Sequence, residues 1–572
     1  MENQTFQPFK DVVLHDECVC TWQKSPSGNI EYSRVADFID VSKVTENLDT
    51  GNMSITLIYS DSTANSETKE ITVGLAEIAT KAKILDLASK GVDVNESNVK
   101  CVIKHIRNRR EGVEKSFVHS NIGFFNKNGE YYFKSYKIFG CTKELDLLSD
   151  YIGTFLIKTE GDGKKWLELV KRVVVGKYPL ELALSIGFSA PVVGFIAGDI
   201  GIESPLIHIY GDSTQGKTTA AMLAVSAFGS PNIKEKGLVM TWNTTSNGMH
   251  GSIAGNTGVP VVFDESSMAN KKDFTKDIYS LTAGKDKIRM NKECEIREEK
   301  SWNTTIISTG EHSIFSKSKA NTGMRMRLFE FGNISWTESA KQADEIKETI
   351  LANYGHCGKV FVRKLMRLGK EKILEIHKQC KTRLIDKLDD SDFRDRIAGK
   401  LAVIMVAATI LKEQMKININ IEKIEELIIK NEAENFDDKD ISEKAYDILI
   451  QVVAKNASKF EKYNENSRFK PIPPSDRESW GIIETKGKRD KEEVRLVVIS
   501  EIFNKILKEH GFDEPKIVLK KWKEKGMLDY EANKLTRRRK IEGIDKVTCY
   551  VINLKKPIKN KAEKNELKTN TK

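Results

Sequence analysis

One stretch restricts what this chain can fold into more than any other. Leu206 to Gly229 reads LIHIYGDSTQGKTTAAMLAVSAFG, an apolar run that meets a glycine-bracketed loop and then a helix of small residues. Such a loop wraps a polyphosphate with its backbone N–H groups, and the helix behind it turns unpaired amides and the positive end of its dipole toward the anion. The expected phosphate contacts are Gly211, Asp212, Ser213, Thr214, Gln215, Gly216, Lys217, Thr218 and Thr219, with Lys217 on the β/γ-phosphates and the Thr218 hydroxyl on Mg²⁺. Leu206, Ile207 and Ile209 predict a buried strand entering the loop, and Thr219 to Phe228 a helix leaving it. The central domain is therefore expected to be an α/β fold that binds ATP or GTP.

A second half of the same site follows downstream. Gly258–Glu265 reads GVPVVFDE, whose four apolar residues after Pro260 predict a strand buried in a parallel sheet. That strand would deliver Asp264 to the Mg²⁺ shell and leave Glu265 to orient and activate the attacking water. The plainer alternative is a strand ending in two helix-capping acids. The strand Thr304–Thr309 ends in hydroxyls, so Ser308 or Thr309 is the candidate γ-phosphate sensor, with Thr309 preferred. Ala283–Ser301 reads as a charged β-hairpin with its tip near Asn291–Lys292, and its Lys285, Lys287, Arg289 and Lys292 would grip a phosphate backbone. A merely solvated hairpin fits the same residues. In GMRMRLFEF (Gly323–Phe331), Arg325 and Arg327 precede a further strand, where one of them can stabilise transition-state charge in a neighbouring subunit. A surface salt bridge is the competing reading.

This order of elements resembles the AAA+ motors of superfamily III helicases and the minichromosome-maintenance helicases. TWNTTSNG (Thr241–Gly248), LTAGKDKIR (Leu281–Arg289), STGE (Ser308–Glu311) and NYGHCG (Asn353–Gly358) are more closely similar to the DUF927-type ATPases, which include the replicative helicases of staphylococcal cassette chromosomes. The resemblance spans roughly residues 70 to 550 and implies a hexameric, ATP-driven helicase of a mobile element that translocates on DNA. Related helicases usually carry Asn at the end of the sensor strand, whereas this chain has Ser308–Thr309.

At 572 residues the chain is too long for one core. The expected units are a β-rich and helical N-terminal domain over 1–160, the ATPase core over 161–335, a helical lid over 336–440, a winged-helix-like unit over 441–555 and a basic tail over 556–572. Net charge is +10, and from Lys516 onward 18 Lys/Arg stand against 7 Asp/Glu, so the surplus is C-terminal. A polyanion held at that end, namely DNA, is the expected partner. Lys516, Lys520, Lys521 and Lys523 on a helix, with Arg537, Arg538, Arg539 and Lys540 at a wing, are the candidate duplex contacts, and a protein-docking module is the alternative. Aromatics interleaved with Arg and Lys in the N-terminal region suit either single-stranded nucleic acid or plain core. Cys18 and Cys20 with His15 read as strand residues rather than a metal site, and the scattered cysteines suit a reducing compartment. With no signal pattern and apolar runs too short for a bilayer, a cytoplasmic protein is expected. An ATP-gated DNA-binding switch is the rival function, and a combined primase and helicase a weaker one for want of paired aspartates in residues 1–150.

Overall fold

Five parallel strands carry the centre of the molecule: β1 Leu206–Tyr210, β2 Val239–Thr241, β3 Val261–Asp264, β4 Ile306–Gly310 and β5 Leu328–Gly332. They lie in the order β2-β3-β4-β1-β5. Leu206 sits opposite both Ile306 and Leu328, and Val261 opposite Ile306, so the strands are nearly flush. Because all are parallel, the loops that leave β1, β3 and β4 emerge at one edge, and their starts line the other. Ligands of open parallel sheets gather at the carboxyl edge where the strand order reverses. The computed structural model describes residues 9–60, 67–269, 273–286, 300–315, 322–434, 441–464, 472–475, 478–486, 493–510, 512, 515–532, 534–541 and 544–554.

These strands are apolar on both faces because helices cover both. The helix Lys217–Ser226 packs against β3 and β4, and behind it lies Tyr178–Ile200. That 23-residue helix is long and apolar enough to cross a membrane, yet it is almost wholly buried in protein. The apolar run reads shorter in the sequence, Ile186–Ile200, because Glu181 and Ser185 precede it, and the glycines within it have a packing reason. A Cβ on Gly187 would come within 1.9 Å of the Ala224 carbonyl oxygen, so only glycine lets the two helices touch backbone to backbone. Downstream, the helices Ala340–Ala352, Cys357–Leu368, Lys370–Lys387 and Arg394–Glu413 follow, as their periodicity predicts. The last is not amphipathic: Ile397 to Leu411 is buried nearly all round between Tyr178–Ile200 and Lys370–Lys387.

Among the described residues the hydrophobic clusters run over 12–106, over 122–428 and over 445–552, with a smaller fourth of Ile482, Val497, Ile541, Cys549 and Val551 beside the third. In the first, a three-stranded and a five-stranded sheet pack on the helix Val99–Arg110. The spacing of Ile78, Ala82 and Leu85 predicts one helix, and the structure breaks it into the short turns Leu75–Ile78, Lys81–Ile84 and Leu85–Lys90. Strands Ile122–Lys127 and Glu130–Lys134 form the predicted hairpin through Asn128 and Gly129, both at positive φ, as such a turn requires. They belong to the central cluster, since Ile122 pairs with Asn256, just before β3. The third cluster unites the helices Ile441–Lys455, Ser500–Glu509 and Pro515–Glu524 with a six-stranded sheet. The sequence pattern predicts a helix over Val497–Glu509, but Val497–Ile499 ends the strand Glu493–Ile499, whose β-branched run pairs with Ile544–Asn553.

Candidate active site

The loop after β1 bends as a phosphate cradle has to. Gly211 and Gly216 take φ of +147° and +79°, and Thr214 takes +74°. A side chain at Gly216 would strike the Thr337 hydroxyl, and the Gln215 carbonyl accepts the Trp336 N–H at 2.8 Å, so the segment leading to the lid buttresses the loop. Lys217, itself buried, donates from Nζ to the Gly211 and Asp212 carbonyls at 2.8 and 2.6 Å. The ammonium is thus held inside the arch, where only the loop's own carbonyls meet it.

Asp264, at the end of β3, accepts the Thr218 hydroxyl at 3.2 Å and the Thr309 hydroxyl at 2.5 Å, both on Oδ1. The three residues come from the loop helix, β3 and β4, and only the flush parallel register brings them together. Burial pushes the Asp264 carboxyl above its ordinary value, against the pull of the two hydroxyls. A buried carboxylate with hydroxyls and, among the described residues, no ion pair suits a cation, and with Thr218 it makes a donor set of the kind a hard, oxygen-seeking Mg²⁺ prefers. Glu265 follows at φ +59°, a costly conformation for a non-glycine residue and one that clusters at functional sites. Its N–H donates to the Thr309 hydroxyl at 2.9 Å, while its carboxylate accepts from the Ser267 N–H and hydroxyl.

Of the two sensor candidates, the structure gives Ser308 a core role. Its hydroxyl joins His208 Nδ1 and accepts the Trp242 Nε1–H, each at 2.9 Å, inside the sheet. Thr309 faces Asp264 and the loop. His208 is fully buried, its second nitrogen on the His312 carbonyl, and burial lowers its pKa to about 4. Sequence reasoning missed His208, Trp336, Thr337 and Glu311, which accepts the Ser213 hydroxyl at 2.9 Å. Only the polar Glu311, in STGE beside the sensor strand, left a signal there.

Arg327 lies at the opposite edge of the sheet. Its carbonyl accepts the Leu206 N–H where β1 begins, and its guanidinium binds Glu203 and the Gly323 carbonyl. Arg325 ends the short helix Thr322–Arg325, and its side chain lies outside the described residues. The expected hairpin is described only at its base, where Lys285 pairs with Ser301. Lys287, Arg289 and Lys292 lie outside the described residues. On Pro515–Glu524, Val518, Leu519 and Trp522 are buried while Lys516, Lys520 and Lys523 form an exposed stripe; Lys521 is half-buried. Arg538 is exposed and Arg539 half-buried, whereas Arg537 is tied to Asp529 at 2.6 Å. In the N-terminal region Tyr132 and Phe133 are core residues, and Arg109 is paired with Asp40.

Comparison with known proteins bears on the whole chain. Residues 19–301 match a domain of unknown function, DUF927, and residues 440–557 match the Cch helix-turn-helix domain. Both matches bear out the resemblance read from the chain's motifs. Among solved structures, the chain is similar in fold to the SCCmec type IV Cch active helicase. The TM-score is 0.74 at 24% identity, over 96% of this chain and 97% of that one. No curated protein gives a match. The chain is accordingly a multidomain α/β protein with a five-stranded parallel sheet, and its C-terminal region is matched by a helix-turn-helix model.

Proposed function

We propose that the chain is an ATP-driven DNA helicase of a mobile genetic element, acting as a homo-hexameric ring in the cytoplasm. One observation carries the reading: the phosphate loop, Asp264 and Glu265 converge at one edge of the sheet, while Arg327 stands at the other. Five strand residues separate them, about 16 Å of backbone. An arginine there cannot reach the phosphates of its own subunit, so the site is completed by a neighbour. The likeness to a Cch helicase and the Cch-type C-terminal domain agree with a DNA partner.

In this reading Lys217 leaves its carbonyls for the β/γ-phosphates of ATP, and the amides of Asp212–Thr219 hold the rest of the polyphosphate. Mg²⁺ would be held by Thr218 and Asp264 and would supply neutralisation of the charge that develops on phosphoryl transfer. Glu265 swings from Ser267 to orient the attacking water and take its proton. Thr309, touching both Asp264 and the Glu265 amide, registers whether the γ-phosphate is present. The basic residues of the segment Ala283–Ser301 grip one DNA strand, and the exposed stripe of Pro515–Glu524 with Arg538 holds duplex.

Strand displacement on a forked DNA substrate, with ATP and Mg²⁺, tests this. Wild type is expected to unwind, Lys217→Ala to lose ATP binding, and Glu265→Gln to bind ATP while losing turnover about 100-fold or more. ATP hydrolysis by wild type without strand separation on any fork would instead favour an ATP-gated DNA-binding switch.

A further inference from the structure

Glu311 brings a further carboxylate to the phosphate loop, where an anion is expected to bind. A negative side chain there opposes that binding unless it leaves. We propose that the Glu311 carboxylate is a placeholder for the terminal phosphate of ATP. In the empty loop it holds the Ser213 hydroxyl; a nucleoside triphosphate displaces it and takes that hydroxyl, whereas a diphosphate leaves it in place. Glu311 is thus a positioning residue that sets the preference between ATP and ADP. This rests on the nucleotide site proposed above.

Lys217 locates the terminal end of the polyphosphate. Its ammonium, the group that meets the β/γ-phosphates, lies on the Gly211 and Asp212 carbonyls at 2.8 and 2.6 Å, immediately before Ser213. On that limb of the loop the Ser213 hydroxyl donates to Glu311 Oε1 at 2.9 Å, across 98 residues of chain. Alternation along β4 and its extension turns Thr309 and Glu311 toward the loop, and Ser308 away from it onto His208. Among the described residues no cation pairs with Glu311, so the serine hydroxyl is what keeps its carboxylate at the loop.

The exchange needs only a side-chain rotation, because the backbone on either side of Glu311 is moored. Gly310 lies so close to Ser266 that a Cβ would come within 2.1 Å of the serine hydroxyl, and the His312 carbonyl meets the buried His208 ring at 3.0 Å. Beyond it, the Ser313 hydroxyl and the Ile314 N–H donate to buried Glu330, each at 2.6 Å. Ser213 and Glu311 are themselves exposed, so a carboxylate that swings away enters water and leaves no buried charge behind. A terminal phosphate carries more negative charge than a carboxylate and more acceptor oxygens, so it competes for the Ser213 hydroxyl and repels Glu311. ADP ends one phosphate earlier and does neither.

The test is the affinity for ADP and for the β,γ-imido analogue of ATP, measured by calorimetry with Mg²⁺ on wild type, Glu311→Gln, Ser213→Ala and Lys217→Ala. The glutamine keeps an acceptor for Ser213 and removes only the charge. E311Q is expected to bind the triphosphate about tenfold more tightly than wild type does, and ADP within about twofold of it. Added salt should shrink that gain, since the repulsion between exposed groups acts through solvent. S213A should weaken the triphosphate about tenfold and ADP about twofold at most, because it removes a hydrogen bond that only the terminal phosphate takes. An equal gain for both nucleotides in E311Q, or a gain for neither, would overturn the placeholder role, and so would S213A weakening both alike. K217A keeps the two levels apart: should it bind both nucleotides as tightly as wild type, the phosphate-loop reading itself fails, whatever E311Q does.

Discussion

The nucleotide edge and the C-terminal domain both depend on charge but arrange it in opposite ways. At the phosphate-loop edge Lys217 and Asp264 are buried; Lys217 meets carbonyls of its own loop, while Asp264 meets hydroxyls from the loop helix and from β4. On the helix Pro515–Glu524 the lysines of the exposed stripe stand in solvent over a core of Val518, Leu519 and Trp522. Buried charge is strong and unforgiving, because a low dielectric magnifies both a good partner and a missing one. Exposed charge is weak per residue, screened by salt, and acts by summation.

That contrast is sharpest at Asp264. Replacing it by Asn should lower Mg²⁺-dependent turnover by at least about 100-fold and yet raise the stability of the ligand-free protein by about 1 kcal/mol. The sign follows from its raised pKa: the folded state holds the proton above the ordinary value, so ionisation opposes folding as pH rises through that range. Thermal melts at pH 7 beside ATPase assays check both halves, and a destabilised Asn variant would break the argument. His208 gives the next effect. Its pKa is lowered to about 4, so the unfolded chain protonates first. Stability is then complete above about pH 6.5 and lost as pH falls toward 4, on the order of 3 kcal/mol over the interval. Denaturant midpoints between pH 7 and 5 should fall less steeply in His208→Gln than in wild type. The smallest effects belong to the C-terminal surface. Lys520→Ala and Arg538→Ala should each weaken duplex binding several-fold, regardless of DNA sequence, and each reduce the slope of log affinity against log salt by about 1. A loss confined to one DNA sequence would mean that these side chains read bases.

Much of the nucleotide edge was legible because its chemistry is local. A glycine-bracketed loop between apolar strand and small-residue helix, or VVFDE as a buried strand ending in acids, announces itself within a few residues. The choice between Ser308 and Thr309 was not legible, since adjacent strand residues face opposite sides and only the sheet says which side holds Asp264. Helical periodicity misled at Val497–Ile499, where a β-branched run finds a strand partner about 50 residues away. Likewise the lysines of the C-terminal helix were readable as a group, but not that Lys521 turns inward among residues of the lid.

By itself the sequence determined that a phosphate loop must sit between a buried strand and a helix, that an acid pair must follow, and that the basic surplus lies at the C-terminal end. These are consequences of backbone conformation, periodicity and charge, which act over a few neighbouring residues. Tertiary structure alone decided that Thr218, Thr309 and Asp264 meet, that Ser308 is locked by His208 and Trp242, and that Arg327 is held by Glu203 across 124 residues of chain. Those contacts depend on strand order and register, which arise when separate apolar faces find one another in a common core.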